Sequence, residues 1–186
     1  MALFVLTGPL MAFDRAGAET GTVAEQIVQD AEDSVKRIKT LIEEARRGNP
    51  ESQFQLGGMI RDKVPEYWRY TRTPVNESPA RWKAHAKGMK EARSWFAQAA
   101  EQGHSGAQME LSRIYRRKYP PDYSFMTDYI LSYAWLKVAL DKGAGSYTNG
   151  QPTDKMLRKK MTAEQVAKAD KLAGEIQERI ESSQSQ

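Results

Sequence analysis

The chain contains no cysteine among its 186 residues and only two histidines. The absence of cysteine excludes disulfide bridges, thiolate metal sites and cysteine nucleophiles. No run of apolar residues approaches the roughly 18 that a membrane-spanning helix needs, so the sequence predicts no transmembrane segment. The P-loop, the dinucleotide-binding glycine motif and the GxSxG nucleophile motif are also missing. Few residues are therefore left as candidates for catalysis.

The two histidines lie far apart in sequence and lack the spacing of a zinc site. His104 falls in a predicted turn between helices and is expected to be structural, whereas His85 is expected to lie on the surface. Carboxylate pairs such as Glu43 and Glu44 are interpreted as charges on a solvated helix face. The sequence predicts no catalytic residue, no metal ligand and no cofactor, and therefore a protein that is not an enzyme.

Composition favours one all-α globular domain, with 40% hydrophobic and 28% charged residues. The formal net charge is +4, and the basic residues are interleaved with acidic ones. No nucleic-acid-reading motif is present, so a nucleic-acid partner is not expected.

A stripe of apolar and small residues recurs along the chain at helical spacing. Its first copy comprises Ala92, Trp95, Phe96, Ala99, Ala100 and Gly103, and its second comprises Ser132, Trp135, Leu136, Ala139, Leu140 and Gly143. Gly103 is predicted to end one helix in the left-handed conformation, and Ser105 is predicted to cap the next. The pattern therefore predicts repeated antiparallel helical hairpins.

The segment SWFAQAAEQGHSGAQMELSRIY resembles the Sel1-like repeats, a family of tetratricopeptide-like helical hairpins, in its tryptophan-containing helix, its Ala-Ala-x-x-Gly turn and its Ala-Gln-x-x-Leu opening. The segment RRGNPESQFQLGGMI is similar to that opening, and Asp128 stands where the family has an aspartate ahead of its tryptophan. The short Gly-x-Gly-Val connection of the family is missing from both hairpins. The resemblance implies a short right-handed α–α solenoid with capping helices at both ends.

The predicted organisation follows from these patterns. Its parts are a leading helix over residues 22–48, a first Sel1-like hairpin over 49–103 with a long insertion at 61–90, a second hairpin over 104–143, a loop over 144–161 and a closing helix over 162–181. The residues predicted to form the repeat core are Leu56, Met59, Ala92, Trp95, Phe96, Ala99, Ala107, Leu111, Ile114, Trp135, Leu136 and Ala139. Thr162 and Gln165 are predicted to form a capping box.

The N-terminal residues 1–18 contain a short apolar stretch followed by Ala16-Gly17-Ala18, a pattern typical of a cleaved signal peptide. This reading predicts a periplasmic or secreted protein of bacterial origin. The alternative is a cytoplasmic protein in which the stretch is a frayed tail or packs on the first helix.

The insertion concentrates aromatic and basic residues between prolines. Its residues Tyr67, Trp68, Tyr70, Arg72, Arg81 and Trp82 are predicted to bind a partner, because tyrosine, tryptophan and arginine are enriched at binding hot spots. The alternative is that these aromatics cover the groove of the solenoid itself.

The leading hypothesis for function is a non-enzymatic scaffold or adaptor that binds a protein or peptide. One alternative, implied by relatives of the repeat family, is a cell-wall-related enzyme that binds or hydrolyses β-lactams, although those relatives are rich in cysteine. Another is a purely structural subunit.

Overall fold

The computed structural model of the chain describes residues 23–64, 79–117, 127–143 and 154–185. Within these ranges every regular element is a helix, which confirms the all-α prediction. The helices are α1 (Val23–Arg46), α2 (Pro50–Lys63), α3 (Pro79–Glu101), α4 (Ser105–Arg116), α5 (Tyr129–Asp141), α6 (Asp154–Arg158) and α7 (Ala163–Gln184). The predicted signal peptide lies outside the described residues.

The chain divides into two compact units, residues 1–38 and residues 39–186. In the first unit the described residues form the start of α1, whose apolar side chains are exposed. The second unit holds the end of α1 and the helices α2 to α7. In it, α2 packs on α3 and α4 packs on α5, while α3 packs on α4. These contacts give the array of helical hairpins that the sequence predicts.

The two turns that precede α2 and α4 are built alike. Gly48 and Gly103 both have positive φ, at 98° and 88°, which glycine adopts without steric cost. The side-chain amide of Gln53 donates to the carbonyl of Ala45, and that of Gln108 donates to the carbonyl of Ala100. Each of these two bonds spans eight residues and is buried, so the repeat seen in the sequence is a repeat of hydrogen bonds as well.

The cap of α4 differs from the prediction. His104, not Ser105, is the N-cap, and its Nδ1 accepts a hydrogen bond of 3.1 Å from the backbone N–H of Ala107. The imidazole can take this position because it also stacks on Phe54, with ring centroids 4.5 Å apart. The predicted capping box of α7 is present, with Thr162 as the N-cap.

The core of the second unit lies between the hairpins and α7. Its fully buried side chains include Phe96, Leu111 and Ile114 from the hairpins and Ile176 and Ile180 from α7. Helices α2 and α3 approach closely at Gly57, where a Cβ atom would lie 3.0 Å from the ring of Phe96. Burial of these apolar side chains is the main stabilising force for the helices, because each helix is marginal in isolation.

Helix α7 is joined to the hairpins by polar contacts at two points along its length. Arg179 forms a bidentate pair with Glu101 of α3, and Lys137 of α5 pairs with Asp170 at 2.7 Å. The hydrogen bond to Asp170 raises the pKa of Lys137. These contacts fix α7 against α3 and α5, as expected of a helix that closes a repeat array.

Two boundaries differ from the sequence prediction. Helix α3 begins at Pro79, so residues 79–90 of the predicted insertion are helical; proline is favoured in the first turn of a helix, where its missing N–H has no partner to lose. The predicted loop over 144–161 contains the short helix α6, since Leu157 is buried beside Tyr133 and Leu136. Because of α6 the described residues form seven helices, where the sequence predicted about six.

Most of the predicted core residues are buried, but two are not. Trp135 is 5% exposed, whereas Trp95, its counterpart in the first stripe, is only partly buried. Met59 is 38% exposed, which corrects its placement in the core. The buried residues of α2 are Ser52, Gln53, Leu56 and Gly57, which form one stripe of the helix. Met59 lies beside that stripe.

Candidate interaction surface

The sequence-predicted binding residues are described only in part. Tyr67, Trp68, Tyr70 and Arg72 lie outside the described residues. Arg81 and Trp82 lie in the first turn of α3, where the structure describes the helix but not their side chains. The described residues nearest to this segment are the end of α2 and the start of α3, and two concave features lie there.

The first feature is a polar cavity of about 150 Å³, which is lined by Arg61, Asp62, Val64, His85, Met89 and Arg117. His85 is only 3% exposed, so the prediction of a surface histidine is wrong. The physical reason is that α3 extends back to Pro79 and carries His85 into the buried stripe, four residues before Met89 and seven before Ala92. That spacing is visible in the sequence and would have predicted burial once the helix was extended.

A buried carboxylate organises the basic residues beside this cavity. Glu110 of α4 is 9% exposed and accepts from Arg61 at 2.7 Å and from Arg113 at 2.6 Å. Burial lowers the pKa of Arg61, but the hydrogen bond to Asp62 and the charge of Glu110 outweigh it and raise the pKa above its ordinary value. A buried charge is tolerated because it is paired, and removing either partner is costly.

The sequence reasoning missed this ion-pair network. The separation of Glu110 and Arg113 by three residues on one helix is a local signal. The pair between Arg61 and Glu110 joins residues 49 positions apart in two different hairpins, so no local pattern reveals it.

Arg61, Arg113 and Arg116 interact with Glu110, and Arg117 lies near Arg116 and lines the cavity with Arg61. We call these four arginines the basic cluster. The pKa of Arg116 is lowered by burial and then by the like charges of Arg113 and Arg117. The contribution of Arg113 and Arg117 to this shift places like charges close to Arg116. An anionic group placed here would be stabilised by these charges.

The second feature is an open apolar groove of about 380 Å³ between α2 and α3. It is lined by Leu56, Met59, Ile60, Lys63, Val64 and Ala84. Val64 also lines the polar cavity, so the groove and the cavity adjoin. We call the residues that line either feature the α2–α3 surface.

His104 has structural contacts on both sides of its ring. The Nδ1 of His104 accepts from a backbone N–H, so its Nε2 carries a proton and donates to Glu51 at 3.0 Å. This hydrogen bond, together with one from Gln55, lowers the pKa of Glu51. His104 therefore ties α4 to α2 and has both ring nitrogens engaged in structural contacts.

Within the described ranges, no three His, Asp or Glu side chains are arranged to hold a metal ion. In the same ranges, no helix combines the length and the apolar character that crossing a membrane requires.

The chain is similar to the crystal structure of a protective antigen present in uropathogenic Escherichia coli strains, described as displaying an SLR fold, with 24% sequence identity and a TM-score of 0.42. The similarity covers 77% of this chain and 33% of that one, so this chain spans about a third of its length. No family profile matches the chain. No curated protein matches it either.

Proposed function

We propose that the protein is a non-enzymatic interaction module that binds an acidic segment of a partner protein at the α2–α3 surface. The observation that carries the proposal is the junction at Val64, where an apolar groove adjoins a cavity lined by Arg61 and Arg117. Such a surface fits a peptide that carries an apolar side chain beside a carboxylate.

The groove supplies the apolar part of this recognition. Met59 is 38% exposed at the groove, and burying a side chain against it would remove apolar area from water. Methionine suits such a place because its unbranched, polarisable side chain adapts to different partners.

The basic cluster supplies the polar part. Burial lowers the pKa of Arg116, and the nearby like charges of Arg113 and Arg117 lower it further. Arginine presents a planar set of donors that matches a carboxylate, and charge complementarity of this kind selects partners and speeds their association. Binding is therefore expected to weaken as salt concentration rises.

The predicted binding residues of the insertion belong to the same proposal. Trp68 and Trp82 fall in or next to the segment between Val64 and the first turn of α3. We expect Tyr67, Trp68, Tyr70, Arg72, Arg81 and Trp82 to contribute to partner specificity. Replacement of both tryptophans by alanine should weaken binding of the selected peptides described below more than it lowers the melting temperature, and the reverse order would favour a packing role.

The direct test is selection of peptides from a random display library against the full chain. The selected peptides are expected to combine acidic and apolar residues. Their binding should be lost on Met59→Asp and weakened about tenfold or more on Lys63→Glu, because the first places a charge in the groove and the second reverses one at its edge.

Two matched variants control for general effects of these substitutions. Met156→Asp changes a methionine that is 55% exposed on α6, and Lys168→Glu reverses an exposed lysine on α7. Both should bind the selected peptides as the unchanged chain does. Selection of basic or uncharged peptides, or equal binding by the Met59→Asp and Met156→Asp variants, would contradict the proposal.

A further inference from the structure

Helix α1 presents a stripe of exposed apolar side chains over its first four turns. The exposed fractions are 63% for Ile27, 57% for Val28, 51% for Val35 and 40% for Ile38, and Ala31 lies between them on the same face. These positions recur at steps of three or four residues and so form one face of the helix. A helix of this kind is marginal in water when its apolar face has nothing to pack against.

Charge is distributed unevenly along α1. Within residues 23–38 the acidic side chains come first, and the basic ones follow: Glu25, Asp30, Glu32 and Asp33, then Lys36 and Arg37. A second copy of the helix that runs in the opposite direction would place acidic residues beside basic ones at both ends. A parallel copy would place like charges beside each other.

We propose that α1 pairs with α1 of a second copy of this chain as an antiparallel coiled coil. In an antiparallel coiled coil, each a position of one helix packs against a d position of the other helix. If Ile27 packs opposite Ile38 of the second copy, Ala31 falls opposite Ser34, and the same contacts repeat by two-fold symmetry.

The flanking positions fit the same alignment. On one side of the seam, Val28 falls opposite Val35 of the second copy and widens the apolar contact. On the other side, Asp30 falls opposite Arg37, which gives two symmetric ion pairs. Within its own helix Asp30 accepts from the amide of Gln26 at 3.0 Å, and Arg37 donates to the hydroxyl of Ser34 at 3.4 Å. Both side chains are exposed, so both charges can reach across the seam.

A membrane surface is another class of apolar environment that such a helix could meet. Four acidic and two basic residues within 23–38 make this segment net negative, and an anionic lipid surface repels it. The charge pattern therefore favours a second copy of the chain over lipid.

The pairing is tested by measuring the molar mass of the full chain in solution by light scattering over a range of concentrations. The mass is expected to rise from 21.0 kDa to twice that value. Ile38→Asp should abolish the rise, whereas Met156→Asp, which changes an exposed apolar residue on α6, should leave it unchanged.

Charge reversal tests the antiparallel alignment. Asp30→Arg and Arg37→Asp should each raise the dissociation constant of the dimer by about tenfold, since each turns two attractive pairs into two repulsive ones. An equimolar mixture of the two variants should restore pairing, because the arginine introduced into one variant then faces the aspartate introduced into the other. At a concentration where a charge variant is dimeric, its helical circular dichroism should equal that of the unchanged chain.

Three results would overturn the inference. The first is a mass of 21.0 kDa at every concentration. The second is a dimer that the mixture does not restore. The third is binding to vesicles of phosphatidylcholine and phosphatidylglycerol that Ile38→Asp abolishes, without self-association. None of these involves the α2–α3 surface, so failure here leaves the proposed function to its own test.

Discussion

Replacement of Trp135 by alanine should destabilise the protein far more than the same change at Trp95. The two tryptophans occupy equivalent places in the repeated stripe, 40 positions apart. Trp135 is 5% exposed and packs in the core with Ala173 and Ile176 of α7, whereas Trp95 is only partly buried. Their positions in the repeat predict that the two alanine variants lose equal amounts of stability, but their burial predicts unequal losses of stability.

The magnitude for Trp135 follows from its burial. Truncation of a buried tryptophan to alanine costs about 3–5 kcal/mol, because the removed atoms lose their contacts and leave a cavity. For a chain of this size each kcal/mol lowers the melting temperature by about 2–4 °C, so Trp135→Ala should lower it by about 6–20 °C. Trp95→Ala removes a side chain that solvent already reaches, and its cost should be roughly 1–2 kcal/mol.

The assay is urea unfolding followed by far-ultraviolet circular dichroism, since fluorescence would change with the loss of a tryptophan itself. Trp135→Phe is the control for chemistry: it keeps most of the apolar volume and should cost clearly less than Trp135→Ala. Equal losses for Trp95→Ala and Trp135→Ala would refute the reasoning, because the two sites would then be buried alike.

Further predictions concern the turns, the pH dependence and the N-terminus. Gly103→Ala should cost about 1 kcal/mol or more, because φ is positive there, whereas Gly174→Ala, in a helix with open space around it, should stabilise by roughly 0.5–1 kcal/mol; thermal unfolding distinguishes them. The pKa of Glu51 is lowered in the folded state, so its bond to His104 should contribute stability above the ordinary pKa of 4.5 and lose it as pH falls through the lowered value. The stability difference between the unchanged chain and Glu51→Gln should therefore shrink in acid, and a difference that grows there would contradict the assignment. If residues 1–18 are a signal peptide, N-terminal sequencing of the native protein should begin near Glu19, and an intact Met1 would exclude cleavage.

The sequence alone determined the helical repeat and its turns. Apolar spacing identified the stripes, and glycine identified the turns at positions such as Gly103, since both signals depend on a few neighbouring residues. The same local logic predicted the capping box at Thr162. It failed at the start of α3, since the predicted insertion over 61–90 includes a helical part that begins at Pro79.

Only the tertiary structure decided which residues of each stripe are covered and what the candidate surface contains. Spacing fixes the direction in which a side chain leaves its helix, but not whether another helix lies in that direction. For this reason Trp95 and Met59 are less buried than their positions predicted, and His85 is more buried. The pair between Arg61 and Glu110 depends on the packing of two hairpins that are far apart in sequence, and it forms only when the core brings α2 and α4 together.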